Sequence, residues 1–195
     1  MNIDQEKAFD RVSHEFLFET IKRFGFGENF QKWIQILYRG MKSKIIVNGT
    51  LSEKIDITRS VRQGCPIAPL LYICVIETIL IKIRENKLIC GIKSPTSSIE
   101  NKLSAFADDT NFLLRDTCSA SRVIQTFNKF GKALGSKVNL LKTEGMWLGA
   151  NRDNIETPLE IKWVKFSKSL GIIFGPGNTQ KARTGFLVLT NSEMQ

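Results

Sequence analysis

The four residues Phe106-Ala107-Asp108-Asp109 place two adjacent carboxylates between two apolar runs. Short β-strands are predicted on both sides, over residues 101–107 and 110–115, which leaves the acid pair at a tight hairpin turn. Aspartate is common in turns because its side chain bonds nearby backbone groups and tolerates left-handed geometry. For the pair taken alone, a polar hairpin tip is the simplest interpretation.

The apolar flanks of this hairpin favour a second interpretation, in which the acids bind a metal ion. Apolar residues on both arms predict that at least one face is buried, and two carboxylates there repel each other unless a cation neutralises them. Carboxylate oxygens suit Mg²⁺, which usually takes one or two protein carboxylates together with waters and substrate phosphates. The best candidate for a further carboxylate is Asp4, directly after the apolar Ile3.

Length, composition and charge restrict the class of protein. With 195 residues, 42% of them hydrophobic, the chain can form one ordinary domain with a core. Its formal net charge of +9 suits a polyanionic partner such as nucleic acid. The four cysteines are widely separated and there is one histidine, which disfavours a zinc site.

No secretory signal and no transmembrane segment are predicted. The longest apolar stretch, residues 70–83, is interrupted by Glu77 and Lys82 and is too short to span a bilayer. We therefore expect an intracellular protein, of the nucleus or cytoplasm, that does not bind membranes.

The spacing of apolar residues predicts helices over residues 14–24, 28–38, 69–86 and 119–134. The first two are expected to pack on the core. The third is apolar nearly all round, which predicts a buried central position, and the fourth is expected to be N-capped near Thr117 or Ser119.

The remaining segments are predicted to be β-rich. A hairpin is expected around Asn48-Gly49, and the other predicted elements are strands over 137–141 and 145–148, a final β pair over 161–166 and 170–174, and a loop or small hairpin over 87–100 around Gly91 and Pro95. No repeat and no flexible linker is found, which favours one compact α+β unit.

Five short segments of the chain stand in an order and spacing that resemble the reverse transcriptase (RNA-directed DNA polymerase) domain of a non-LTR, LINE-type retrotransposon. They are Asp4-Gln5-Glu6-Lys7-Ala8-Phe9-Asp10, Arg62-Gln63-Gly64-Cys65-Pro66 continuing through Pro69-Leu70-Leu71, Phe106-Ala107-Asp108-Asp109, Gly135-Ser136-Lys137-Val138-Asn139 with Lys142-Thr143-Glu144, and Lys168-Ser169-Leu170-Gly171-Ile172. Each is weak alone, but together they cover about residues 1–175.

The resemblance implies the palm of a right-hand polymerase, a small antiparallel sheet backed by helices, over residues 1–175. It also implies that the fingers and most of the thumb are missing from this chain, and it leaves residues 176–195 as an unassigned tail. The implied partners are an RNA template, a DNA primer and a dNTP, and the implied cofactor is a pair of Mg²⁺ ions.

The same resemblance assigns roles to individual residues. Asp4 and Asp108 would be the principal metal ligands, Asp109 would assist, and the main-chain carbonyl of Gln5 would add a ligand. Phe9 matches the steric gate that excludes a 2′-hydroxyl. Around the nucleotide it implies Ala8, Gln63 and Gly64, and near the leaving pyrophosphate it implies Lys142. The primer-grip hairpin would contain Lys168, Ser169, Leu170 and Gly171. Asp10 and Arg62 also belong to the matching segments, but for these two we expect structural roles.

Two other functions are open at this point. One is a non-catalytic remnant that binds nucleic acid through the palm fold and the +9 charge. The other is a different palm-type enzyme, such as a nucleotide cyclase, which shares paired acids on a hairpin. The segments over residues 62–66 and 168–172 argue against the second.

Overall fold

The computed structural model describes residues 1–93 and 98–175, and the chain divides into two compact units. The sheet unit comprises residues 1–4, 88–122 and 139 to the end of the described chain. The helical unit comprises residues 5–87 and 123–138. A single unit was expected because no linker is visible, but each unit is assembled from segments distant in sequence, so no linker composition is needed. Pro95 and the tail over residues 176–195 lie outside the described residues.

Four α-helices are present in the described residues, at or within two residues of the predicted positions. They are α1 His14–Arg23, α2 Glu28–Tyr38, α3 Ala68–Glu85 and α4 Thr117–Leu134. In this part of the chain, none of the helices combines the length and the apolar character that crossing a bilayer requires. The helices and the mainly antiparallel strands confirm the predicted α+β class.

The burial of the helices agrees only in part with the predictions. On α2, Ile34 and Tyr38 are buried, whereas Trp33 is 65% exposed, so its predicted packing face is only partly confirmed. The expectation that α3 has a buried central position is confirmed only in part: eight of its residues are buried, but Leu70 is 61% exposed. Apolar side chains also occur on protein surfaces, so apolar composition alone does not decide burial. On α4, the apolar residues at helical spacing are buried: Val123, Ile124, Phe127, Phe130 and Leu134.

The N-terminus of α4 is capped by Asp116, one residue before Thr117 and three residues before Ser119, the two predicted positions. Its Oδ1 accepts a hydrogen bond of 2.7 Å from the main-chain N–H of Ser119. A carboxylate there satisfies a free helix N–H and also interacts favourably with the helix dipole.

Asp116→Ala is expected to lower the free energy of unfolding by about 1 kcal/mol, because it removes this cap. Asp116→Asn keeps a side-chain oxygen and serves as the matched control, with a much smaller loss. Urea unfolding of the two variants measures the difference, and equal losses would show that Asp116 does not cap the helix.

The described residues contain fifteen short β-strands. They are β1 Asn2–Ile3, β2 Gln5–Glu6, β3 Lys42–Ser43, β4 Ile46–Val47, β5 Thr50–Leu51, β6 Ile55–Asp56, β7 Ile92–Lys93, β8 Glu100–Asn101, β9 Leu103–Phe106, β10 Asp109–Phe112, β11 Lys137–Val138, β12 Glu144–Gly145, β13 Lys162–Trp163, β14 Ser167–Ser169 and β15 Ile172–Phe174.

The sheet unit is built on a five-stranded sheet with the order β13-β12-β1-β10-β9. Its neighbouring strands are antiparallel except β12 and β13, which are parallel. The predicted final β pair over 161–166 and 170–174 is therefore wrong in its first member, because β13 joins the sheet. The last hairpin pairs β14 with β15 instead, and it turns at Leu170 and Gly171 with φ values of +49° and +83°.

The helical unit contains the predicted hairpin around Asn48-Gly49. Strand β3 pairs with β6, and β4 pairs with β5 across Asn48 and Gly49, whose φ values are +49° and +79°. Positive φ at both turn residues is the reason that Asn-Gly is the favoured sequence for such a hairpin. In the same unit β2 pairs with β11.

Two tryptophans stack on each other in the sheet unit. The ring centroids of Trp147 and Trp163 are 4.4 Å apart, and the ring planes differ by 21°. Each indole N–H donates to a main-chain carbonyl, that of Glu156 at 3.0 Å and that of Pro158 at 2.8 Å. The pair fixes the connection between β12 and β13.

Candidate active site

The acid hairpin forms as predicted, with one refinement. Strands β9 and β10 pair with Asp109 opposite Phe106, so the two-residue turn consists of Ala107 and Asp108. Ala107 has a φ of +53°, in the left-handed region. Asp108 therefore lies in the turn, while Asp109 is the first residue of β10 rather than part of the tip.

Strand β1 brings Asp4 to the same end of the sheet. Ile3 pairs with Thr110, and these side chains are 1% and 0% exposed, so both point to a buried face. Side chains alternate between faces along a strand, and directly opposed residues share a face. The ladder of β1 and β10 ends at Ile3 and Thr110. Continued by one residue, the same register would set Asp4 opposite Asp109, on the other face of the sheet.

The main chain of Asp4 is held by a turn over residues 139–143. The N–H of Asn139 donates to the carbonyl of Asp4 at 2.9 Å. The N–H of Asp4 in turn donates to Oγ1 of Thr143 at 3.3 Å. Both peptide groups of Asp4 are thus hydrogen-bonded, although β1 itself ends at Ile3.

The donor chemistry at this end of the sheet fits Mg²⁺, because Asp4, Asp108 and Asp109 offer the carboxylate oxygens that this ion prefers. Continuing the register of β1 and β10 by one residue would set Asp4 opposite Asp109, and Asp108 precedes Asp109 on an exposed turn. Over residues 1–93 and 98–175, however, no three His, Cys, Asp or Glu side chains are gathered closely enough to hold a metal ion. The backbone thus directs Asp4 and the acid hairpin to one end of the sheet, while the side chains of the described residues are not assembled into a complete ligand set.

Lys142 and the predicted primer-grip hairpin also lie in the sheet unit. Lys142 is exposed in the turn over residues 139–143, with its N–H donating to the carbonyl of Asn139 at 3.2 Å. In the hairpin, Lys168 and Leu170 are exposed, whereas Ser169 is buried.

Two side-chain contacts attach this hairpin to the sheet. The Asn111 Nδ2 donates to Oγ of Ser169 at 2.7 Å, which links β14 to β10. Oγ of Ser167 donates to Oε2 of Glu144 at 3.0 Å, and Nζ of Lys162 donates to Oε1 at 2.9 Å. The hydrogen bond from Lys162 is the main reason that the pKa of Glu144 is lowered.

The other predicted site residues lie in the helical unit. The half-buried ring of Phe9 stacks on Tyr72, with centroids 4.5 Å apart and planes 20° apart. Nε2 of Gln5 donates to the Tyr72 hydroxyl at 3.2 Å. Ala8, which directly precedes Phe9, is buried.

The loop over residues 62–66 is tied to the segment after Phe9. Nε2 of Gln63 donates to Oδ1 of Asp10 at 3.2 Å. Gly64 has a φ of +83°, a conformation that favours glycine. Asp10 thus connects its segment to the loop over residues 62–66.

The sequence profile of the family described as reverse transcriptase (RNA-dependent DNA polymerase) matches residues 1–174. The chain belongs to the reverse transcriptase family. This match confirms that the five sequence segments resemble a reverse transcriptase. The matched residues 1–174 include every segment that carries a predicted site residue.

This reverse transcriptase chain is similar to proteins of retrotransposable elements. It is 30% identical over 175 residues to a 149 kDa protein of transposon TX1 from Xenopus laevis, covering 88% of this chain and 13% of that protein. It is 27% identical over 138 residues to the Pol polyprotein of the type-2 retrotransposable element R2DM from Drosophila melanogaster, covering 71% of this chain and 13% of that protein. A Pol polyprotein of the type-1 element R2 from Popillia japonica is 30% identical over 116 residues, and this alignment covers 60% of this chain and 18% of that protein. The chain thus spans less than a fifth of each of these relatives.

Three polar residues of the reverse transcriptase chain were missed as candidates: Asn111, Asn139 and Thr143. Asn139 and Thr143 belong to matching segments, but only the fold reveals that they contact Asp4. Asn111 follows Asp109 by two residues and so shares its face of β10. That alternation is the signal by which it could have been found.

Proposed function

We propose that this reverse transcriptase chain carries the metal-binding acids for RNA-directed DNA synthesis, in which a dNTP extends a DNA primer on an RNA template. The main support is the register of β1 and β10, which, continued by one residue beyond Ile3 and Thr110, would set Asp4 opposite Asp109. Family membership over residues 1–174 supplies the reaction class. The corresponding fold is the polymerase palm, with residues 1–175 as its domain.

In this proposal Asp4 and Asp108 hold two Mg²⁺ ions, Asp109 assists, and the carbonyl of Gln5 adds a ligand. When bound, such a pair of ions stabilises negative charge on the attacking and leaving oxygens of an in-line displacement. With the ions bound, the three carboxylates would supply negative charge at one place and so hold the ions beside the triphosphate.

The other residues would position the substrates. Phe9 excludes a 2′-hydroxyl by steric contact, and Ala8, Gln63 and Gly64 line the nucleotide. Lys142 holds a proton on Nζ near the leaving pyrophosphate, where a cation can balance charge or donate that proton. The hairpin over residues 168–171 directs the primer end, and its attachment to β10 through Asn111 supports this role.

The alternative is a domain that binds nucleic acid without catalysis. The formal net charge of +9 favours it, as does the incomplete gathering of the acidic side chains among the described residues. Such a domain would bind RNA or DNA with an affinity that falls steeply as salt is raised.

Primer extension distinguishes the two. We expect that residues 1–174 of this chain, when grafted in place of the matching segment of an active reverse transcriptase, support extension of a DNA primer on an RNA template. The product should require Mg²⁺ and disappear when EDTA removes it. Salt-sensitive binding of template by a folded chimera that never extends the primer would favour the binding domain instead. The 195-residue chain is assayed in parallel.

A further inference from the structure

We propose that Thr143, together with Asn139, is a positioning residue that sets the direction of the Asp4 carboxylate toward the metal ions. This inference rests on the proposed function of Asp4 as a metal ligand. It adds a role for a side chain that itself touches neither metal nor substrate.

Asp4 needs such a support because it lies just beyond a very short strand. Strand β1 has two residues, and its ladder with β10 covers Asn2 and Ile3. The peptide groups of Asp4 are instead bonded by the turn over residues 139–143, through the N–H of Asn139 and Oγ1 of Thr143. The orientation of the Asp4 backbone, and with it the starting direction of its side chain, therefore depends on this turn.

Thr143 is well suited to hold that position. Its side chain is 0% exposed, and Oγ1 accepts from Asp4 while donating to the carbonyl of Asn139 at 2.8 Å. Its N–H donates to the same carbonyl at 2.9 Å, and its own carbonyl accepts from the N–H of Lys162 at 3.1 Å. This hydroxyl both accepts and donates a hydrogen bond, and the backbone that carries it is hydrogen-bonded as well. It therefore has little freedom to move and holds the N–H of Asp4 in one place.

The same turn carries Lys142 one residue before Thr143. Because Asn139 and Thr143 both contact Asp4, the turn fixes the backbone of Lys142 relative to that of Asp4. Supporting residues around a metal ligand orient it, and their loss typically reduces metal affinity by about 10- to 100-fold.

Thr143→Val tests the inference, because it keeps the shape of the side chain and removes the hydroxyl. Mn²⁺ is the probe, with its binding to the 195-residue chain measured by water-proton relaxation at a temperature where every variant is folded. We expect the dissociation constant for Mn²⁺ to rise roughly 10-fold in Thr143→Val. Thr143→Ser, which keeps the hydroxyl, should bind Mn²⁺ as the unaltered chain does.

Thr110→Val is the matched control for packing. Thr110 is also fully buried in the sheet unit, and Oγ1 has no hydrogen-bond partner among the described residues. The same substitution there should leave Mn²⁺ binding unchanged. A purely structural effect of Thr143→Val would lower the folded fraction without changing the affinity of the folded molecules.

Hydrogen exchange of the Asp4 amide gives a second measurement that needs no metal. We expect faster exchange in Thr143→Val and unaltered exchange in Thr143→Ser. If Thr143→Val binds Mn²⁺ as tightly as the unaltered chain does, while Asp108→Asn binds it weakly, the positioning role is wrong and the metal site stands. If Asp108→Asn and the unaltered chain bind Mn²⁺ equally, the proposed metal site fails, and the positioning role fails with it.

Discussion

Asp108→Asn is expected to lower Mg²⁺-dependent primer extension by on the order of 10³-fold, because it removes a charge that would hold metal ions at the reacting phosphate. The substitution keeps the size of the side chain, and Asp108 is exposed in the turn between β9 and β10, so the fold should persist. Initial rates of extension by the grafted domain, measured over a range of Mg²⁺ concentrations, give the loss. Asp4→Asn should produce a loss of similar size.

Asp153→Asn is the control for this charge change. Asp153 is an exposed acid of the same unit, and its side chain is paired with neighbouring Arg152 at 3.4 Å. The control should extend primers at the unaltered rate. Normal extension by Asp108→Asn would refute the assignment of the acid hairpin to catalysis.

Phe9→Val is expected to let the grafted domain incorporate ribonucleotides, with discrimination against them falling on the order of 10²-fold. The proposed reason is steric: the phenyl ring fills the space that a 2′-hydroxyl needs, and valine leaves that space open. Stacking on Tyr72, which also accepts a hydrogen bond from Gln5, limits the positions that the ring can take. The ratio of kcat/KM for a dNTP and the corresponding rNTP measures the effect.

Phe16→Val separates sugar selection from packing. Phe16 is another half-buried phenylalanine of the helical unit, and its ring meets Phe130 edge-on with centroids 5.5 Å apart. Its replacement removes comparable aromatic packing, so it should lower stability without changing the choice of sugar. A Phe9→Val variant that keeps full discrimination would identify Phe9 as a packing residue.

Local patterns in the sequence were sufficient to predict most helices and strands, but not to predict which strands pair with each other. The hairpin of β9 and β10 follows from turn chemistry between apolar arms, and α1, α2 and α4 follow from helical spacing. The pairing of β1 with β10 joins residues more than a hundred positions apart, which no local pattern specifies. The parallel pairing of β12 with β13 was also missed, because the sequence between them carries no sign of which strand β13 joins.

The site shows the same division. Asp4, Asp108 and Asp109 were chosen as candidate ligands because carboxylates near apolar runs, in the order of a known family, are distinctive residues. Thr143 carries no such signal, since a threonine after a lysine is ordinary in sequence. Its significance depends on a hydrogen bond to Asp4 across 139 residues of chain. Contacts of this kind become visible only after folding.

The stacked indoles of Trp147 and Trp163 provide a built-in optical reporter. Closely stacked indoles couple their electronic transitions, so the pair should produce a distinctive circular dichroism band that vanishes when its unit melts. The chain has three tryptophans, and the third, Trp33, belongs to the helical unit. With Trp33 replaced by phenylalanine, all indole fluorescence originates from the sheet unit, which carries Asp4, Asp108 and Asp109. The thermal unfolding of this unit can then be followed without any added dye.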